Sequence, residues 1–186
     1  MCKKCNEGFS ADEEYFAAFL GCVLAGSTEL ERQTNSRLAT TLRRSPALRA
    51  RIDACRTESP TLFGDIRIVW TPEKDRIHRV VVKNARGHAF FEYGEPILKL
   101  PNYVWSAPIE FLGPEERETF ERVPGGALWP EVDSRMLTRV LTGQDLMDGW
   151  VVVQDGVYRY VVAQEDLIVV RSVINEYLAT EVRWSD

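Results

Sequence analysis

The stretch that decides the fold is WVVVQDGVYRYVVAQEDLIVVRSVINEYLATEVRW, residues 150–184. Runs rich in valine and isoleucine are separated there by short groups of turn residues, which is the pattern of β-strands joined by tight turns. Asp155-Gly156 predicts a two-residue hairpin turn with both residues at positive φ, and Glu165-Asp166 predicts the next turn. Strands are predicted over 150–154, 157–163, 167–174 and 179–184. The C-terminal part of the chain is therefore expected to form an antiparallel β-meander.

Before residue 57 the sequence has the periodicity of helices. Apolar residues between Phe16 and Leu24 recur at i, i+3, i+4, i+7 and i+8, which places them on one face of a helix. Hydroxyl side chains stand where helix caps are expected. Three helices are predicted: from the capping box of Ser10 and Glu13 to Gly26, from Ser27 or Thr28 to about Arg44, and from Ser45-Pro46 past Ile52. Thr57–Pro60 is predicted to be a linker.

The middle of the chain has mixed signals. The β-branched run Asp65–Trp70 predicts a strand. Ile77–Tyr93 fits either a strand or a helix, and its apolar spacing favours a helix ending at Gly94. An extended segment is predicted over 103–111, a helix from Pro114 through Phe120, and a short helix or irregular segment over 136–141. The fold class is therefore α+β: N-terminal helices, a mixed segment and the C-terminal β-meander. The predicted division is into residues 1–57 and 58–186.

Composition is that of a soluble globular protein. The 186 residues carry a net charge of −5, and 45% of them are hydrophobic. The longest apolar stretch, Phe16–Gly26, is far shorter than the ~20 residues that a membrane span needs. Four cysteines do not make a disulfide scaffold, and Cys22 and Cys55 fit helix faces as free thiols. A cytoplasmic protein without a membrane partner is predicted.

The most informative short motif is CKKCN, residues 2–6. Cys2 and Cys5 are three positions apart, so both thiolates would reach one Zn²⁺, and the two neighbouring lysines would lower the thiol pKa values. A structural zinc takes four ligands, so this is half of a site. The same pair from a second subunit would complete it in a homodimer. The alternatives are an N-terminal segment with two unoccupied thiols and a redox pair, which would normally follow a strand.

Two segments resemble bacterial HNH-endonuclease-like proteins. The stretch CKKCNEGFSADEEY, residues 2–15, is similar to the segment that closes the zinc-binding region of those proteins. The stretch VKNARGHAFF, residues 82–91, resembles the Lys-x-Ala-Arg-Gly-aromatic pattern that follows their HNH region. The resemblance implies that Cys2 and Cys5 correspond to two of the family's zinc ligands.

The same resemblance leaves the catalytic part of the family without a counterpart. In HNH nucleases a histidine activates water while a divalent ion stabilises the phosphoryl transition state. That histidine and the first CxxC lie upstream of the second CxxC, where this chain has only Met1. The resemblance therefore implies an accessory, C-terminal region that is inactive as a nuclease in this form. An HNH-type enzyme is expected only if upstream sequence is missing.

Arginines concentrate in the predicted second and third helices. Residues 32–56 hold seven arginines against one acid, Asp53, for a local charge of +6, so the remaining residues carry −11. Arginine pairs well with phosphate oxygens, and the cluster is therefore a candidate nucleic-acid contact. The alternatives are a solvated helix face and pairing with the acidic segment Glu110–Glu121. The candidate contact residues are Arg37, Arg43, Arg44, Arg49 and Arg51.

The remaining candidates for chemistry are few. His78 and His88 are ten residues apart and are predicted to be surface or half-buried structural residues. We find no complete catalytic constellation in the sequence, so it leaves open whether the chain is an enzyme. The alternative to an HNH accessory region is a small cytoplasmic binding or regulatory module with an incidental CxxC and an unknown ligand.

Overall fold

The computed structural model describes residues 3–60, 65–123, 134–164 and 167–185, and for residues 3–8 it describes the backbone alone. The chain forms two compact units, Met1–Val80 and Val81–Asp186. Within the described residues the helices are α1 (Lys3–Ala25), α2 (Ser36–Arg44), α3 (Pro46–Asp53), α4 (Lys74–Tyr93), α5 (Pro114–Glu121) and α6 (Arg135–Thr142), with short 3-10 turns at Leu30–Arg32 and Ile109–Phe111. The strands are β1 (Arg56–Pro60), β2 (Ile66–Trp70), β3 (Tyr103–Pro108), β4 (Leu146–Met147), β5 (Trp150–Gln154), β6 (Tyr158–Gln164), β7 (Leu167–Ile174) and β8 (Leu178–Ser185). The predicted α+β class is confirmed. The division predicted after residue 57 stays a prediction.

Within the described residues, the first unit contains helices α1 to α3, the start of α4 and the antiparallel pair of strands β1 and β2. Its core holds the apolar stripe of α1, including Phe16, Phe19 and Leu20, together with Leu42 of α2 and Ile52 of α3. Gly21 allows α2 to pack closely on α1, because a Cβ there would lie 2.2 Å from Leu38 Cδ2. The core side of α2 therefore faces α1.

Two of the predicted helix starts in the first unit are wrong. Helix α1 begins at Lys3, so Ser10 lies inside it and is not its N-cap. Helix α2 begins at Ser36 and is capped by Asn35, whose side chain accepts hydrogen bonds from the Arg37 and Leu38 amides. Thr28 is used instead to tie the preceding loop to α3, since its hydroxyl donates to Asp53 at 2.8 Å.

The third helix and the following segment show one success and one error. Ser45 caps α3 with Pro46 in its first turn, as predicted. Thr57–Pro60 is not a linker, because it lies in β1 and pairs in register with Ile66–Val69 of β2. The strand alternation predicted over Asp65–Trp70 is confirmed from Ile66 onward. The polar sequence of β1 does not predict a strand, and the segment is extended because it pairs with β2.

The second unit is built on a six-stranded antiparallel sheet of order β3-β8-β7-β6-β5-β4. Strands β5 to β8 form the predicted meander. The segment predicted to be extended over 103–111 joins the far edge of the sheet as β3 only over Tyr103–Pro108, because Ile109–Phe111 forms a 3-10 turn. One face carries Tyr158, Tyr160 and Val162 toward the C-terminal half of α4. The other face packs under α5 through a core of Phe120, Trp150, Val161, Val173 and Ala179.

The hairpin turn between β5 and β6 differs from the prediction. Asp155, Gly156 and Val157 form the connection, and the Val157 amide donates to the Gln154 carbonyl at 3.0 Å. Gly156 has a φ of +69°, whereas Asp155 is not among the residues at positive φ. Only one position of the turn therefore requires glycine. The predicted turn at Glu165-Asp166 lies outside the described residues.

The ambiguous segments of the second half resolve as helices. Ile77–Tyr93 belongs to α4, which ends before Gly94 at a φ of +84°. The segment predicted as a short helix or irregular over 136–141 is α6, capped by Ser134 and ended by Gly143. In the described part of the chain, no helix has both the length and the apolarity that crossing a membrane would require.

Candidate functional site

The predicted arginine cluster occupies two consecutive short helices of the first unit. Arg37, Arg43 and Arg44 lie on α2 and are exposed, because Leu42 on the other side of the helix is buried in the core. Arg37 and Arg44 are seven residues apart, about two helical turns or ~10 Å along the axis. The structure therefore brings three of the five predicted arginines onto one helix surface. We call Arg37, Arg43 and Arg44 the α2 arginine surface.

The two predicted arginines on α3 differ from those on α2. Arg51 Nε lies 3.0 Å from Glu73 Oε1, so this side chain is held by an ion pair. Arg49 is half-buried and lowers the pKa of the nearby Cys22 thiol, although burial has the larger effect and raises that pKa to about 11. Arg51 is therefore anchored within the unit, and Arg49 is less accessible than the arginines of α2.

No carboxylate pairs with the α2 arginine surface among the residues that the structure describes. Pairing with the acidic segment Glu110–Glu121 stays an alternative, and two of its carboxylates have partners within the second unit. Glu118 pairs with Arg122 at 2.8 Å, and Glu121 binds Arg159 at 2.7 Å. Three unpaired guanidinium groups on a helix are able to pair bidentately with phosphate or carboxylate oxygens from outside the chain.

The side chains of the predicted zinc half-site lie outside the part of the chain that the structure describes. Cys2 lies outside the described residues, and for Cys5 only its backbone position within α1 is described. Over the described ranges, no group of three or more His, Cys, Asp or Glu side chains is placed to hold a metal. Cys22 and Cys55 are free thiols, buried and half-buried respectively. Zinc at Cys2 and Cys5 stays a prediction.

The first unit contains a polar anchor at Asp12 that the sequence patterns do not predict. Asp12 is buried and accepts hydrogen bonds from Arg79 Nε at 2.6 Å and Arg76 Nη1 at 2.8 Å. The hydrogen bond from Arg79 is the main reason that the pKa of Asp12 lies below its usual value, even though burial opposes the shift. Tyr15 OH accepts from the Glu73 amide at 2.9 Å. These contacts fix α1 to the start of α4.

The second unit holds a groove of about 640 Å³ between α4 and β5. A single stripe of α4 lines it: Asn84, Gly87, His88 and Phe91, which follow at i, i+3, i+4 and i+7. Val151 to Val153 of β5 and Tyr160 of β6 line it from the sheet. Lys83, Arg139 and Asp145 contribute charged groups. The volume is in the range of small-molecule sites, ~300–1,000 Å³.

His88 is held on the sheet by two tyrosines. Its ring stacks on Tyr160 with 3.8 Å between the centroids and an interplanar angle of 18°. Its Nε2 shares a hydrogen bond of 2.5 Å with Tyr158 OH. Burial lowers the pKa of His88 to about 4, so the ring is uncharged at neutral pH. The predicted half-buried, structural character of His88 agrees with these contacts.

A buried polar network lies behind the groove. Glu92 is 0% exposed and accepts hydrogen bonds from Tyr160 OH at 2.5 Å and from Arg139 Nε at 3.3 Å. Arg139 also donates to Asp145 at 2.9 Å. Burial, together with the neighbouring Glu92, raises the pKa of Tyr160, which keeps its hydroxyl protonated. The network joins the end of α4 to α6 and the sheet.

The depressed pKa of His88 makes the stability of the protein depend on pH. The unfolded ring binds a proton near its ordinary value of ~6.5, whereas the folded ring resists protonation down to about 4. The unfolded state therefore binds more protons in this window, so stability falls as pH falls.

Between pH 7.5 and pH 5, we expect the wild type to lose about 2 kcal/mol more of its free energy of unfolding in urea than His88→Gln loses. Burial also lowers the pKa of His78, so the control variant His78→Gln measures the contribution of that second histidine. An identical pH dependence in wild type and His88→Gln would contradict the assignment.

Two features of the α4 sequence distinguish the groove-lining stripe from the buried face of the helix. Ile77, Val81, Ala85 and Ala89 form the buried face of α4, and Glu92 continues that face as a fully buried acid. The neighbouring face, with Asn84, Gly87 and His88, combines a helix-weakening glycine with polar side chains. Neither pattern shows which strand lies opposite, so the groove itself is not predictable from α4 alone.

Comparison of the chain with known protein families, with characterised proteins and with solved structures gives no match.

Proposed function

We propose that this chain is a nucleic-acid-binding accessory module that contacts phosphates through the α2 arginine surface. The observation that carries the proposal is the exposure of Arg37, Arg43 and Arg44 on one helix without a carboxylate partner in the described part of the chain. Uncompensated arginines at such spacing reach several phosphates of a duplex, which carries one charge per ~1.7 Å of its axis. In this proposal Arg49 and Arg51 support the two helices.

The charge distribution sets the kind of binding that is expected. The chain as a whole carries −5, so attraction to nucleic acid is confined to the arginine-rich helices, and the remainder repels it. Phosphate contacts carry no sequence information directly. We therefore expect weak, sequence-independent binding that disappears at high salt. The resemblance to HNH-endonuclease-like proteins supports the same class of partner, and it assigns no catalytic histidine to this chain.

Neutralising the α2 arginine surface is expected to abolish most of this binding. The variant Arg37→Gln/Arg43→Gln/Arg44→Gln removes three exposed charges and no buried contact, so it should fold as the wild type does. Fluorescence anisotropy with a labelled duplex of about 20 base pairs in about 50 mM salt should give a wild-type Kd of roughly 1–100 µM. The variant should bind at least about tenfold more weakly.

The matched control removes the same number of charges elsewhere. Arg67, Arg117 and Arg122 are exposed residues outside α2 and α3, and their replacement by glutamine changes the net charge equally. This control should bind within about twofold of wild type. Equal weakening of both triple variants would show that only net charge matters, and the α2 arginine surface would lose its assigned role.

A small-molecule binding module is the second candidate function. The observation that favours it is the groove between α4 and β5, with its mixed polar and apolar lining. The two functions depend on different residues in different units, so each is testable without disturbing the other.

A further inference from the structure

We propose that the groove between α4 and β5 binds a small ligand with an uncharged, flat heteroaromatic ring. The ring would lie along the Asn84, Gly87, His88 and Phe91 stripe and face the valines of β5. This inference is independent of the α2 arginine surface, because every lining residue belongs to the second unit.

The position of Gly87 inside α4 is the first observation that points to a ligand. It lies in the interior of a 20-residue helix, where glycine is the least favourable residue after proline. A Cβ at this position would meet nothing within 4 Å, so no neighbour in the described chain requires its absence. Glycine inside a helix commonly allows another group to approach the backbone closely. A flat ring resting on α4 at Gly87 provides such a group.

Two side chains on the same stripe of α4 as Gly87 have hydrogen-bonding groups without partners among the described residues. The Asn84 side chain makes no hydrogen bond to any residue that the structure describes, and it offers one acceptor and two donors. The Nδ1 atom of His88 is likewise without a partner within the described ranges, because the ring bonds Tyr158 through Nε2. An uncharged imidazole and an amide suit the edge of a heteroaromatic ring, which alternates donors and acceptors.

Arg139 and Asp145, two of the charged lining residues, compensate each other, which favours an uncharged ligand. Arg139 lies between two carboxylates, the fully buried Glu92 at 3.2 Å and Asp145 at 2.9 Å. The imidazole of His88 is uncharged at neutral pH. An ion entering the groove beside this ion pair would lose hydration without gaining an uncompensated opposite charge from it.

The walls supply the area that a flat ring would bury. Phe91 is 46% exposed, and Val153 on the opposite strand is 60% exposed. Both line the groove, whereas Phe90, 53% exposed on the same helix, does not. An aromatic ligand between Phe91 and the valines would cover this apolar surface.

The test uses 2-aminopurine riboside, an uncharged purine nucleoside whose fluorescence falls when its ring stacks. Titration of the full chain should show one site with a Kd of about 100 µM, as expected for a ligand of this size. Phe91→Ala should weaken binding at least about tenfold, and the matched Phe90→Ala control should bind as wild type does. The aromatic anion 8-anilinonaphthalene-1-sulfonate should not compete for the site.

Gly87→Ala separates ligand binding from folding. Alanine should raise the thermal midpoint by a few degrees, because it favours the helix, while weakening binding at least about tenfold by occupying the space of the ring. Opposite changes in stability and binding are not expected of a merely structural glycine. The proposal is overturned if the nucleoside fails to bind at about 2 mM, if Phe90→Ala weakens binding as much as Phe91→Ala, or if Gly87→Ala binds unchanged.

Discussion

Replacing Arg171 by methionine is expected to lower the free energy of unfolding by about 3–5 kcal/mol. Arg171 is 7% exposed, and its Nη1 donates to the carbonyl oxygens of Thr119, Phe120 and Arg122 at 3.0, 2.9 and 2.8 Å. These carbonyls belong to the C-terminal end of α5, where no helical amide is available to them. Methionine has a similar length but no donor, so the Phe120 carbonyl would be buried without a partner, and the part-buried Thr119 and Arg122 carbonyls would lose this donor.

The control for Arg171 is Arg183, which donates hydrogen bonds to the same carboxylate, Glu181. Arg171 Nε and the Arg183 guanidinium both donate to Glu181, but the Arg183 side chain is 42% exposed. Arg183→Met should therefore lower the free energy of unfolding by less than about 1 kcal/mol. The loss for Arg171→Lys should lie between those of the two methionine variants, because lysine keeps the charge but lacks the planar guanidinium with its several donors. Urea unfolding measures all three. Equal costs for Arg171→Met and Arg183→Met would refute the role given to Arg171.

Replacing Glu92 by leucine is expected to have an effect of similar size, about 3–5 kcal/mol. Glu92 lies in the last turn of α4, where the helix dipole disfavours a negative charge. Arg139 compensates that charge, and with a side chain only 15% exposed it would lose its buried partner in the variant. Tyr160 OH would also lose its acceptor.

A double-mutant cycle distinguishes this network from simple packing. Glu92→Leu/Arg139→Leu replaces a buried ion pair by two apolar side chains, which is often close to neutral. We therefore expect the double variant to be more stable than Glu92→Leu alone by at least about 1 kcal/mol. Additive losses from the two substitutions would mean that Glu92 and Arg139 do not depend on each other.

Local signals in the sequence were sufficient where structure is decided locally. Ser45 followed by Pro46 predicted the start of α3, since both effects act within one turn. The valine-rich strands predicted the meander, because neighbouring strands along the chain also pair in space. The helix start predicted from the capping box at Ser10 was wrong because the segment before Ser10 is also helical. A residue inside a helix does not act as its N-cap.

Long-range partners account for what the sequence did not show. Tyr103 pairs with Arg183 at the edge of the sheet, and Glu92 meets Arg139 from 47 residues away. No pattern within either segment identifies its partner. The same limit applies to the arginines: Arg51 looked equivalent to Arg44 in the sequence, but only the fold brings Arg51 to Glu73. The α2 arginine surface differs from Arg49 and Arg51 in exposure and in ion pairing, and residue type alone does not show this difference.

The salt dependence of duplex binding tests the central proposal most directly. Each phosphate contact contributes about −0.9 to the slope of log K against log salt concentration. If Arg37, Arg43 and Arg44 each hold a phosphate, their triple glutamine variant should have a slope smaller in magnitude by about 2–3 than the wild type between about 50 and 200 mM salt. The Arg67, Arg117 and Arg122 control should keep the wild-type slope. Equal slopes for the wild type and the α2 variant would contradict phosphate binding at this surface.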